Sequence, residues 1–175
     1  MRIHSESLIR HPQEKVYGAY RDRLPEIAAY IPDVKEIRVE SREDRDGEVT
    51  IHNIWIADRD VPLFARAFLK PDMLEWDDYA EWKDAESRVY WKLRLRVFTD
   101  SVTCSGTNTF EAASDGTTKV RLEGDLDIDV KSIPGVPRML AGGLKPKVEK
   151  FIVSLITPNL QKVNESLQQF LDEHG

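Results

Sequence analysis

Two tryptophans and two asparagines fall on what read as the dry faces of strands in this 175-residue chain, and their side chains are the ones best suited to holding a guest molecule. Trp55 shares one face of an alternating segment with Val49, Ile51 and Asn53. Trp91 shares another with Val89, Leu93, Leu95 and Val97, opposite Lys92, Arg94 and Arg96. An indole ring offers a large apolar area and a single N–H donor, in a cavity wall or in a core alike. An amide on a dry face must find a partner. For Asn53, and for Asn108 between Gly106 and Phe110, that partner is a ligand carbonyl or hydroxyl, or else a backbone group. Trp55, Trp91, Leu93, Asn53 and Asn108 are therefore candidate ligand-binding residues. Arg23 is a candidate of another kind: its guanidinium can grip an anionic group through paired hydrogen bonds, or merely complement the end of a helix. Lys145, Lys147 and Lys150 gather where a helix begins, which opposes its dipole; they suit an anion, a membrane surface or plain solvent.

Conventional catalytic and metal patterns are missing. His4, His11, His52 and His174 show no metal-ligand spacing with cysteine or acid. No nucleophile elbow, phosphate-binding loop or dinucleotide fingerprint occurs. No catalytic residue, metal or cofactor is assigned; in a site assembled from distant residues, Asp78, Tyr79 and Tyr90 would be the first acids or bases to test. Asp125, Asp127 and Asp129 share one strand face and read as solvated, because calcium needs more oxygen ligands and a loop. A net charge of -6 argues against a nucleic-acid partner. The single cysteine, Cys104, rules out an internal disulfide and suits a reducing compartment. No apolar stretch reads as a signal segment or reaches the ~18 residues of a transmembrane helix. A cytoplasmic location is expected, with the whole span 1–175 as one domain.

The elements that must position these side chains are legible in the periodicity. Residues 2–9 alternate and predict a strand. His11-Pro12-Gln13-Glu14 opens a helix whose buried side is Val16, Tyr17, Tyr20 and Leu24, and a second short helix lies between Pro25 and Pro32. Strands are expected at 34–44 and 48–57 around the turn-rich cluster Asp44-Arg45-Asp46-Gly47, then near 73–83, 87–98, 101–113 and 117–130. Between them, residues 61–70 read as a short helix or lid with Leu63, Phe64, Ala67 and Phe68 on one side. From Lys145 to about residue 172 the apolar positions Val148, Phe151, Ile152, Leu155, Ile156, Leu160, Val163, Leu167, Phe170 and Leu171 follow the spacing of one broad helix face. Phe151 and Leu155 are expected between that helix and the sheet, where they are further candidate ligand-binding residues, and Pro158 is expected to bend the helix. The fold class is α+β: a curved antiparallel sheet wrapped around a long C-terminal helix, with two short N-terminal helices closing one end.

In element order the whole chain resembles the START-like superfamily, also called the Bet v 1-like or helix-grip fold. Val61-Pro62-Leu63-Phe64-Ala65-Arg66 is similar to a segment of a bacterial family of unassigned function. His11-Pro12-Gln13-Glu14-Lys15-Val16 with Arg23-Leu24-Pro25 is similar to the opening of the PRELI family of intermembrane phospholipid carriers, with Gln13 and Leu24 replacing aromatic residues of that family's pattern. The resemblance implies a cavity between sheet and helix for a lipid or other bulky hydrophobic molecule. It also implies a headgroup contact at Arg23, acyl-chain cover by Phe64 and Phe68, and transient membrane contact. The enzyme alternative is an aromatase/cyclase-like or hydrolase-like activity in the same cavity; the third is an interaction module with no usable cavity.

Overall fold

The computed structural model describes residues 1–66, 69–97, 100–132, 139 and 141–175. Seven strands form one antiparallel sheet: β1 (Arg2–Ile9), β2 (Val34–Arg45), β3 (Glu48–Ala57), β4 (Glu75–Lys83), β5 (Arg88–Leu95), β6 (Val102–Ala112) and β7 (Thr118–Ile128). Their order across the sheet is β1-β7-β6-β5-β4-β3-β2. The first two strands thus occupy opposite edges, and the helices between them, α1 (Gln13–Asp22) and α2 (Leu24–Ile27), must cross one end of the sheet. The long helix α3 (Ala141–His174) packs against both of them and against β1 and β7. This is the helix-grip architecture expected from the periodicity.

Alternation decides which face meets the helix. On β5, Val89, Trp91, Leu93 and Leu95 are buried, while Tyr90, Lys92 and Arg94 face solvent. The turn between β2 and β3 is tight because Asp46 and Gly47 both adopt positive φ (40° and 85°), which matches the twist of a two-residue hairpin. The outer half of edge strand β2 is exposed and carries Arg42, Glu43, Asp44 and Arg45, charges that discourage another strand from pairing there. Within α3, Val148, Ile152, Leu155, Ile156, Val163, Leu167, Phe170 and Leu171 are buried, and each such side chain contributes about 1.5–3 kcal/mol.

Segment 61–70 is not a full helix. Among its described residues the regular part is a 3-10 turn, Leu63–Ala65, and Val61, Ala65 and Leu69 dock it by burial. Phe64 meets Phe151 edge-on, with ring centroids 6.4 Å apart. Phe68 and Ala67 lie outside the described residues. The last helix begins at Ala141, four residues before the Lys145 suggested by periodicity, and it runs unbroken through Pro158. Proline has no N–H to offer the carbonyl four residues back, and Arg59 Nη1 donates to that Ser154 carbonyl instead.

Candidate functional site

A cleft opens between the concave face of β3–β5 and the middle of α3. Its floor is set by register. Asn53, Asp78 and Leu93 lie side by side across β3, β4 and β5, as do Ile51, Ala80 and Trp91, and as do Trp55, Trp76 and Leu95. Tyr20 and Leu24 close one side, and Ile156, Asn159 and Leu160 form the roof. All four tryptophans of the chain line this cleft: Trp55, Trp76, Trp82 and Trp91. Arg21 and Leu160 are its partly exposed members and mark the side open to water.

Small residues make the space. In the row of Trp91 stand Ala80 on one side, and Gly106 and Gly124 on the other. The indole lies over both glycines: a Cβ on Gly106 would come 2.5 Å from Trp91 Cζ2, and one on Gly124 would come 2.7 Å from Cη2. The ring is then fixed by its donor. Trp91 Nε1 donates to Asn108 Oδ1 (2.9 Å), and Asn108 Nδ2 donates to the Tyr20 hydroxyl (3.3 Å). An indole N–H can only donate, so the orientation of the Asn108 amide is forced.

The polar centre is Asp78. Asn53 Nδ2 and the Trp55 indole N–H both donate to its Oδ2, at 3.2 and 3.3 Å. Its other oxygen, Oδ1, has no hydrogen-bond partner among the described residues. Burial pushes this carboxyl up to about 6, against those two hydrogen bonds and the charge of His52, which favour the ionised form. Burial first, and then the Asp78 charge, raise Tyr20 above the ordinary phenol range, while its bond with Asn108 acts the other way.

Two further polar atoms of the lining residues are stranded. Trp82 Nε1 and Asn159 Oδ1 are buried without a partner. Asn159 Nδ2 donates to the carbonyl of Leu155 (2.8 Å), a group that can only accept, so the side-chain oxygen must turn the other way. An unpaired buried donor or acceptor costs roughly 1–3 kcal/mol, which a guest with matching groups would relieve. The cleft is narrow. About 580 Å³ of atom-free space extends from floor to solvent, but the cavity proper is about 30 Å³, room for about two waters at ~10–15 Å³ each. A bulky guest must therefore part the rings or lift the helix.

Of the residues singled out by sequence, the structure gathers Asn53, Trp55, Trp91 and Leu93 in the cleft wall, with Asn108 directly behind Trp91. Leu155 instead lines a separate shallow hollow with Leu69, Leu74 and Leu95, and Phe151 packs with Phe64. Arg23 lies away from the cleft: it pairs with Glu26 (2.7 Å) and rests over the Phe170 ring at 4.4 Å. Arg21 lines the cleft in its place, but its guanidinium is held by Asp22 and Asp84. Tyr79 and Tyr90 are on the outer face, where Tyr79 stacks on His52 at 4.4 Å. Trp76, Trp82 and Asn159 were missed. The row Trp76, Asp78, Ala80, Trp82 at strict two-residue spacing was the available signal for β4, with a carboxylate on a face otherwise apolar. Among the described residues no cluster of His, Cys, Asp and Glu has the makings of a metal site, and no helix is long and apolar enough to cross a membrane.

No family model and no curated protein matches the chain. Solved structures do. A protein of Thermus thermophilus superposes with a TM-score of 0.68 at 21% identity, over 100% of this chain and 99% of the other. The Zhui aromatase/cyclase of Streptomyces sp. R1128 gives 0.64 at 12% identity, over 100% and 98%. A START superfamily protein of Mycobacterium smegmatis gives 0.52 at 9% identity, over 99% of both chains. The fold is the START-like, Bet v 1-like helix grip.

Proposed function

We propose that this protein binds a flat, largely apolar small molecule in the cleft between β3–β5 and α3. The carrying observation is that all four tryptophans converge on one cleft in which an indole N–H, an amide oxygen and a carboxylate oxygen lack partners. Apolar contact at about 25 cal/mol per Å² would supply most of the affinity, and the three polar atoms would set orientation. The small cavity volume, about 30 Å³, favours a single ring system over a two-chain lipid. Among the described residues, Arg21 is the cleft's one basic lining residue and is held by Asp22 and Asp84, and Arg23 is held by Glu26, so neither is disengaged for an anionic headgroup.

The test uses N-phenyl-1-naphthylamine, a neutral planar probe whose emission rises in apolar surroundings. Saturable binding with one site per chain is expected, accompanied by loss of tryptophan emission through energy transfer. Ala80→Leu, which fills the floor beside Trp91, should remove most of that binding while leaving the unfolding transition cooperative. Linear, unsaturable uptake, or saturation untouched by Ala80→Leu, would refute this site.

A second reading is catalytic. A carboxyl titrating at about 6 in an apolar cleft, close enough to Tyr20 to perturb its phenol, has the properties of a general acid or base. The same fold carries an aromatase/cyclase. Turnover of a guest that survives in wild type and disappears in Asp78→Asn, with binding retained, would favour this reading.

A further inference from the structure

Among the described residues Asp78 has no directly paired counter-ion; the one charge felt there, that of His52, is engaged by Asp77. α1 presents Tyr20 and Arg21, the latter committed to Asp22 and Asp84. β3 presents Asn53 and Trp55, both neutral, and its His52 sits on the outer face bonded to Asp77. β5 contributes Val89, Trp91 and Leu93, and α3 contributes Ile156, Asn159 and Leu160. No ion pair among the described residues reaches Asp78. An ionised carboxylate in an apolar site is costly unless it is paired. Four indoles and a phenol line the same cleft, and aromatic rings attract cations through their quadrupoles. The chain as a whole carries a net charge of -6, which draws cations toward it.

Building on the binding function proposed above, we infer that the guest is an organic cation: a protonated amine on an aromatic or polycyclic body, donating an N–H to Asp78 Oδ1 while its rings lie among Trp55, Trp76, Trp82 and Trp91. The amine supplies the missing charge and the missing donor together. Trp82 Nε1 and Asn159 Oδ1, both on lining residues and without partners among the described residues, leave one donor and one acceptor for further polar groups of the guest. Anionic guests are disfavoured by the same carboxylate.

Three molecules of equal size separate the possibilities: 2-(2-naphthyl)ethylamine, 2-(2-naphthyl)ethanol and 2-naphthylacetate, each titrated into wild-type protein at pH 7.5 by calorimetry. The amine should bind about tenfold or more tighter than the alcohol, as a hydrogen bond to a charged group implies, and the acetate should bind weakest. Asp78→Asn should bring amine and alcohol to within about twofold of one another, because a neutral amide keeps the shape but not the charge. Alcohol or acetate binding as tightly as the amine to wild type overturns the cation assignment and leaves the binding cleft standing, whatever the stability of the variant. A preference for the amine that persists undiminished in Asp78→Asn also overturns it. Failure of all three to bind overturns both the cation and the cleft.

Discussion

Replacing Asp78 by asparagine should make the protein more stable at neutral pH and leave it almost unchanged in acid. The carboxyl ordinarily titrates near 3.8, and burial raises it to about 6 in the folded chain. The folded state therefore binds the proton more tightly than the unfolded state. The stabilisation this brings is complete below the unfolded value and is lost as pH rises through the folded one, so the window runs from about 3.8 to about 6. Two units correspond to roughly 3 kcal/mol, about 2 of it between pH 4.5 and 7.5. Asparagine can keep both native contacts, because its single oxygen accepts from Asn53 and Trp55 where Oδ2 now does. Its amino group takes the place of the partnerless Oδ1. The assay is urea unfolding of both proteins at matched pH from 4 to 8, taking the difference in unfolding free energy at each point so that every other titrating group cancels. The difference should favour the variant by about 2 kcal/mol more at pH 7.5 than at pH 4.5. A difference that is flat with pH would refute the account of Asp78 as a buried, unpaired charge. One that grows toward acid would mean the carboxylate is paired in a way the geometry does not reveal.

Gly106→Ala should destabilise the fold by about 1–3 kcal/mol, because its Cβ would collide with the Glu123 carbonyl and the Trp91 ring. It should weaken probe binding as well, since Trp91 must move to make room; unchanged urea midpoint and affinity would show that the indole does not rest on this glycine. Leu155→Ala should lower stability by about 2–5 kcal/mol, the usual cost of truncating a buried leucine. Having no part in the cleft wall, it should alter probe affinity less than Ala80→Leu does, and equal losses of affinity would contradict the division between cleft and neighbouring hollow.

The architecture was legible in the residues alone because periodicity reports which face of an element is dry. The two-residue alternation of Val89 to Leu95 and the three-to-four-residue spacing from Val148 to Leu171 suffice for a sheet gripping a helix, and Trp55, Trp91, Asn53 and Leu93 fall on the inner face for that reason. Periodicity does not report which residues of separate strands stand abreast. That Asp78 lies between Asn53 and Leu93, and that Ala80, Gly106 and Gly124 flank Trp91, follows from pairing registers set by the whole sheet. The end of α1 decided the two arginines. Arg21 lies in the last turn of α1, whereas Arg23 sits just beyond it with φ -122°, at the joint with α2, so the two do not share one environment: Arg21 lines the cleft, and Arg23 turns to Glu26 and Phe170. A cavity is the space left between elements, and its polar atoms are the ones that neighbours failed to satisfy. Both are properties of the assembled surfaces. Only the tertiary structure could leave Trp82 and Asn159 each with a buried unmet hydrogen bond, and Asp78 with an oxygen that no described residue engages, around the same narrow cleft.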